Sequence, residues 1–452
     1  MLFSNQLSSL HNIIKNFSIK PVFCKKDADE ISLSIGNLID NFITNDPLGF
    51  SSPYFNDNMR EYVFKNIFIT ISELFDKQDM LKRAEEEMEK LYDKTYNIYF
   101  SKYYPQRSYE NTFIRKAPNY ESMKNKVRYI ENIPQPEQRT VEWYIFRNNL
   151  ITASSAWKAF KSQSTINQLI VEKCKPIDVS KYDYVNTNTP MHHGNKYEDV
   201  SIMFYENMYD TKIKDYGCIK HQKYSFLGAS PDGINVKEDS PLYGRMLEIK
   251  NPTTREINGI PKEDYWIQMQ LQMETCNLNE CDFLETVFKE YECEADFVND
   301  GDFTYSNDDE LKGIIIYFMK DGKPHYEYMP LYLSKREFDL WEESIMEKNK
   351  QLTWVKHIYW RLEEYSCILV LRNKLWFDNA ISKIEEVWNI IEKERVDGYE
   401  HRLPKKQSRV SRSNSLVDDN NNNTNCLINT NCLINTNNLQ KQIIYIDTKF
   451  DV

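Results

Sequence analysis

Glu248 and Lys250 stand two residues apart in Leu247-Glu248-Ile249-Lys250. On a β-strand that spacing projects both side chains from one face, while Leu247 and Ile249 enter the core. Upstream, Gly228-Ala229-Ser230-Pro231-Asp232-Gly233 sets Asp232 in a Pro-Asp-Gly turn after the apolar run Tyr224 to Ala229. The strand carrying Glu248 can bring Asp232 alongside, so that two carboxylates and one cation converge. Phosphodiester hydrolysis suits such a grouping, because Mg2+ takes hard oxygen ligands in an octahedral shell and keeps waters that can serve as nucleophile; Mn2+ would substitute. Asp232 and Glu248 would hold the metal. Lys250 would orient or help deprotonate the attacking water and offset charge on the phosphorane. Alone, a Glu-x-Lys is usually a surface pair on an edge strand, so the assignment rests on the company these residues keep.

That company is ordered along the chain. His193-Gly194-Asn195-Lys196-Tyr197-Glu198 opens a segment with apolar residues at Tyr197, Val200, Phe204 and Met208, the spacing of one helix face. Glu198 is expected near that helix's start, as a third metal ligand, a partner of a metal-held water, or an ordinary first-turn acid. Tyr265 to Met273 reads as a helix with Tyr265, Gln268 and Gln272 on one face and Gln270 pointing elsewhere. Gln268 is the candidate to hydrogen-bond Lys250 or the scissile phosphate. Trp143 to Ser154 leads into a helix expected near Ser155, with Ser154 as N-cap. A helix start there, with Thr152, Ser154 and the bidentate fork of Arg147, would suit a terminal phosphate; capping plus a surface arginine is the plainer alternative.

The elements that must position these groups follow from the apolar pattern. Ile31 to Tyr99 is helical, ending in a charged run with Glu and Lys three and four apart. Prolines at 105, 118, 134 and 136 suggest a linker or irregular arm from Tyr104 to Gln138. The division expected is a helical region and linker over 1–130, a nuclease domain over 131–333, a helical cap over 334–400 and a disordered tail over 401–452. The domain alternates helices and short strands, as in a mixed sheet flanked by helices. Its clearest hairpin joins Gly313–Met319 to Tyr326–Leu333 through Asp321-Gly322. In the tail, His401 to Arg412 is basic, a linker, import signal or DNA tether, and Thr-Asn-Cys-Leu-Ile-Asn occurs at Thr424 and Thr430.

At 452 residues and 41% hydrophobic, the chain can bury a large core. It has no run of about 18 apolar residues to span a membrane. Met1 to Lys26 lacks acidic residues, faintly like a transit peptide, but is too broken for a secretory signal. Nine unclustered cysteines read as reduced intracellular thiols, and Cys276, Cys281 and Cys293 as core packing rather than cluster ligands. A net charge of -11 means that nucleic acid would be gripped in a local groove.

Taken together, Arg147 with Ile151-Thr152-Ala153-Ser154, Gly194 with Glu198, Ala229-Ser230-Pro231-Asp232-Gly233, Leu247-Glu248-Ile249-Lys250 with Pro252, and Tyr265 with Gln268 resemble the lambda exonuclease and YqaJ-type viral recombinase family, of the PD-(D/E)xK nucleases. The resemblance covers about Gln138 to Leu333. It implies a restriction-endonuclease-like α/β core that degrades duplex DNA from an end, 5' to 3', with Mg2+, in viral DNA recombination or repair. It also implies that Glu198, Asp232, Glu248, Lys250 and Gln268 are catalytic and that Arg147, Thr152 and Ser154 engage the 5' phosphate. The implied partners are double-stranded DNA ends, a single-strand annealing protein and further copies of the chain in a ring-shaped trimer. The implied location is intracellular, cytoplasmic or nuclear.

Three features depart from the family pattern: Asn251 replaces a frequent cysteine, His192-His193 replaces an aromatic or basic pair, and Tyr291 to Leu311 is an acidic insertion. The rival readings are a structure- or site-specific endonuclease on the same core and a non-catalytic DNA-end-binding scaffold. A terminal phosphate pocket favours the exonuclease, and the presence of Asp232, Glu248 and Lys250 together disfavours the scaffold.

Overall fold

The computed structural model of the chain describes residues 21–72, 78–115, 120–178 and 185–404. The Asn-rich repeat and all of the basic stretch beyond Pro404 lie outside the described residues. The chain opens with helices α1 (Lys25–Asn45), α2 (Phe55–Ser72), α3 (Gln78–Lys102), α4 (Tyr120–Asn132) and α5 (Val141–Asn148). Then follow strand β1 (Ile151–Thr152), the single turn α6 (Ala153–Ala156), and helices α7 (Gln163–Cys174) and α8 (Pro190–Met208). Strands β2 (Ile213–Lys214), β3 (Ile219–Lys220), β4 (Leu227–Ala229), β5 (Gly233–Asn235) and β6 (Met246–Lys250) lead to helix α9 (Glu263–Cys276). The rest is β7 (Glu280–Glu290), α10 (Glu294–Asn299), β8 (Lys312–Lys320), β9 (Lys323–Tyr328), α11 (Lys335–Lys348), β10 (Thr353–Leu371) and α12 (Lys374–Asp397).

A seven-stranded mixed sheet runs in the order β2-β5-β6-β7-β10-β8-β9, beside a small sheet β1-β4-β3. The mixed sheet flanked by helices is thus the architecture expected from the sequence. β6 and β7 are parallel neighbours joined through α9, a β-α-β crossover. β5 pairs antiparallel with β6, Gly233 opposite Leu247, which sets Asp232 across from Glu248. The hairpin of β8 and β9 forms as its Asp-Gly pair requires, with Asp321 and Gly322 both at positive φ, but its second strand ends at Tyr328.

Two sequence expectations are corrected. The segment 334–400 is not a helical cap: β10, between α11 and α12, pairs with β8 over Thr353–Arg361 and with β7 over Trp360–Leu371, at the centre of the sheet. Its buried Ile358, Trp360 and Leu362 alternate at period two, and the continuous run Cys367 to Leu371 is buried on both faces. Of the two readings of 104–138, a linker or an irregular arm, the described residues fit a packed arm. It contains α4, and Tyr109 and Thr112 donate backbone N–H groups to the carbonyls of Leu369 and Cys367.

Nor do residues near 131 and 334 divide compact bodies: the described residues as far as Leu403 form one unit. Its largest apolar cluster runs from Ile35 and Phe50 through Trp266 and Phe283 to Trp376 and Ile391. Arg107 bridges the same regions by donating to the carbonyls of Ser51 and Pro261. Cys276 and Cys281 pack in the core as expected, whereas Cys293 is exposed. Just after the acidic insertion, buried Lys312 caps the carbonyls of Phe297 and Asp302 within it. Among the described residues no helix is long and apolar enough to cross a membrane.

Candidate active site

Leu247 and Ile249 enter the core, and Glu248 is fully buried on the opposite face of β6. Every oxygen of its carboxylate is used. Oε1 accepts from Lys250 Nζ and from Gln268 Nε2 at 2.7 Å; Oε2 accepts from Gln272 Nε2 at 2.7 Å. Gln268 thus donates to Glu248 and not to Lys250, the first of its two expected partners. Gln272, which sequence reasoning placed on the same helix face but gave no role, does equal work and also donates to the Ser230 carbonyl at 3.3 Å. Gln270 does point elsewhere, donating to the Leu371 carbonyl and accepting from the Asn373 N–H.

Asp232, in its turn before β5, accepts from the Ile249 N–H at 2.8 Å. Burial pushes the Asp232 carboxyl up to about 6, a rise that Lys250 opposes and Glu198 reinforces. Burial pushes Glu248 up to about 7, with Asp232 adding to the rise. Burial disfavours the Lys250 ammonium, but Glu248 and Asp232 outweigh it and hold its pKa above the ordinary value. Tyr265 lies with its ring centroid 5.1 Å from Lys250 Nζ.

Glu198 does not ride at a helix start. Pro190 begins α8 one residue after its N-cap Thr189, so Glu198 sits in the third turn, on the face opposite buried Val200 and Phe204. It pairs with Arg139 Nη2 at 2.6 Å, and burial raises its carboxyl despite that partner. Among the described residues no three His, Cys, Asp or Glu side chains are gathered to hold a metal ion. Of the expected trio, Asp232 and Glu248 lie side by side and Glu198 is turned to Arg139. Two neighbouring buried carboxylates with one ammonium between them leave negative charge on hard oxygen donors, a donor set that fits Mg2+ or Mn2+.

A cleft of about 1160 Å³ joins this centre to the expected phosphate end: Glu198, Ser230, Asp232, Gln268 and Gln272 line one part, Arg147, Thr152 and Ser154 the other. Ser154 is not an N-cap, because Thr152 holds that place in the four-residue α6. Ser154 Oγ instead accepts from Arg147 Nη2 at 3.0 Å, while Arg147 Nη1 donates to Ser230 Oγ at 3.3 Å and the guanidinium lies 4.2 Å from the Trp143 ring. Lys173, which sequence reasoning missed, donates to the Arg147 carbonyl at 2.9 Å. Burial lowers its pKa to about 8 and Arg147, Lys158 and Arg395 add to the fall, a local excess of cations. Asn251 ties the start of α8 to the sheet, donating to the Gly194 carbonyl and accepting from Ser201 and Thr286.

Residues 142–279 match the YqaJ-like viral recombinase domain. The matched segment contains Arg147, Thr152, Ser154, Glu198, Asp232, Glu248, Lys250, Gln268 and Gln272, and stops short of Arg139. An uncharacterised protein of Acanthamoeba polyphaga mimivirus is 30% identical over 320 residues, covering 62% of this chain and 56% of the relative. The chain thus spans little more than half the length of that relative. Two solved structures are similar to it at low overlap. An alkaline exonuclease from Laribacter hongkongensis has 17% identity and a TM-score of 0.33, covering 57% of this chain and 94% of that one. A phage-related exonuclease from Haemophilus somnus has 15% identity and a TM-score of 0.30, covering 56% and 96%.

Proposed function

We propose that the YqaJ-like domain is a metal-dependent deoxyribonuclease that hydrolyses duplex DNA from a 5'-phosphorylated end, in the 5' to 3' direction, in viral DNA recombination or repair. The observation that carries this reading is the cleft lined both by Asp232, Gln268 and Gln272, the two glutamines holding buried Glu248, and by Arg147, Thr152 and Ser154. An anion-binding end a fixed distance from a hydrolytic centre is useful at a strand terminus, where a terminal phosphate exists to be held.

Asp232 and Glu248 would hold Mg2+ or Mn2+, which would supply positive charge at the scissile phosphate and an acidified water. The chain's own groups do the rest. Gln268 and Gln272 each hold one oxygen of the Glu248 carboxylate and so fix the plane of the group. Lys250, held charged between Glu248 and Asp232, stabilises negative charge that builds on the phosphate. Arg147, steadied by Trp143, Ser154 and Ser230, offers a fork to the terminal phosphate, and Thr152 hydrogen-bonds Ser154 and Ser155 beneath it.

Digestion of linear duplex, closed circular duplex and single-stranded DNA with Mg2+ tests the proposal. Loss of the linear duplex alone, faster from 5'-phosphate than 5'-hydroxyl ends, is expected. Cutting of the circle would instead establish an endonuclease.

A further inference from the structure

Arg139 is a non-glycine residue at φ 67°, a left-handed backbone that costs an ordinary side chain about 1 kcal/mol. Both neighbours hold it there. Gln138 Nε2 donates to the Tyr216 carbonyl at 2.8 Å and reaches the Pro231 carbonyl at 3.5 Å, next to Asp232. Thr140 caps α5, the helix of Trp143 and Arg147, by accepting from the Trp143 N–H at 3.2 Å. The preceding backbone is seated equally firmly, since a Cβ on Gly217 would stand 2.1 Å from the Pro136 carbonyl oxygen. A fixed backbone thus delivers one guanidinium into the cleft, against Glu198.

The guanidinium itself is loosely held. Its side chain is 51% exposed, and a partly solvated ion pair with Glu198 is worth little, whereas a phosphate accepts two parallel bonds from the same fork. We infer that Arg139 is a latch that exchanges between two anions, the Glu198 carboxylate it holds in this structure and a backbone phosphate of DNA in the cleft. The exchange frees Glu198 to join Asp232 and Glu248 around the metal, so DNA binding and metal binding reinforce each other. This inference rests on the nuclease reading.

The test measures Mn2+ affinity of the full chain by the electron paramagnetic resonance of free Mn2+. It is done with and without a 5'-phosphorylated duplex whose terminal linkages are hydrolysis-resistant phosphorothioates. Arg139→Gly suits the positive φ and removes the guanidinium; Arg139→Lys keeps the charge without the fork. Without DNA, Arg139→Gly is expected to bind Mn2+ about two- to fivefold tighter than wild type, the range an exposed ion pair sets. Wild type should gain a similar factor on adding duplex, Arg139→Gly should not, and in a Glu198→Gln background Arg139→Gly should change nothing. Mn2+ affinity indifferent to Arg139, or a gain that persists in Glu198→Gln, overturns the latch. If wild type binds no Mn2+, or Asp232→Asn binds it as wild type does, the nuclease reading falls and the latch with it.

Discussion

Gln272 donates from Nε2 to Glu248 Oε2 at 2.7 Å, on the side of the carboxylate that Lys250 and Gln268 do not reach. The two glutamines are one helical turn apart on α9 and grip the carboxylate from both ends, so its orientation is set by the helix. Gln272→Leu keeps the volume and removes that donor. The expected result is a fall of about 10- to 100-fold in single-turnover cleavage, the usual cost of losing an orienting partner, with little change in circular dichroism. An unchanged rate would mean that Gln272 only fills space.

Asp232 shares the pH dependence of stability with Glu248, both carboxyls raised by burial. Its folded pKa is raised to about 6 by burial, above its ordinary value, so the protonated form is favoured in the native state. The stability this contributes is fully present below about pH 4 and is lost as pH rises through about 6. Asp232→Asn is therefore expected to raise the melting temperature of metal-free protein at pH 8 by several degrees, from at most about 3 kcal/mol. The gain should vanish by pH 4. Mg2+ should stabilise wild type and not the variant. Melting curves at pH 4, 6 and 8, with chelator and with Mg2+, check each part.

On the proposed function, a change at Lys250 would separate holding the metal from chemistry. Lys250→Met is expected to retain divalent-ion binding, measured by calorimetry, and to lose at least about 100- to 1000-fold in cleavage, the range for removing a group that stabilises developing charge. Cleavage at the wild-type rate would remove Lys250 from the mechanism.

On the proposed function, Arg147 would govern the choice of end. Replacing it with Ala is expected to bring the rates on 5'-phosphate and 5'-hydroxyl duplexes together, a loss of about 10- to 100-fold in preference, in line with charge-assisted hydrogen bonds. Cleavage of a pre-engaged internal bond should change less. A preference that survives the substitution would assign the terminal phosphate to other residues, with Lys173 and Lys158 next in the cleft.

The Asp232–Glu248–Lys250 cluster was legible because two local rules place it: period-two alternation puts Glu248 and Lys250 on one face, and the Pro-Asp-Gly turn delivers Asp232 to the adjoining strand. The hairpin at Asp321-Gly322 was legible for the same local reason. What escaped depends on distant partners. β10 mixes exposed Trp354 and charged residues with an unbroken apolar run, which short-range patterning does not distinguish from a helix packed on a core. Thr152 displaced Ser154 as N-cap because the helix begins two residues early, against β1. Arg139 carries no motif. Its role comes from a positive φ and from a partner 59 residues away.

The most direct measurement is release of acid-soluble nucleotide from labelled linear duplex by wild type and Asp232→Ala, first in chelator and then with Mg2+ titrated back. The account predicts no release from either protein in chelator, release by wild type that saturates with Mg2+, and none by the variant at any Mg2+ concentration. Release in chelator, or equal release by the variant, would contradict a metal-dependent nuclease centred on Asp232 and Glu248.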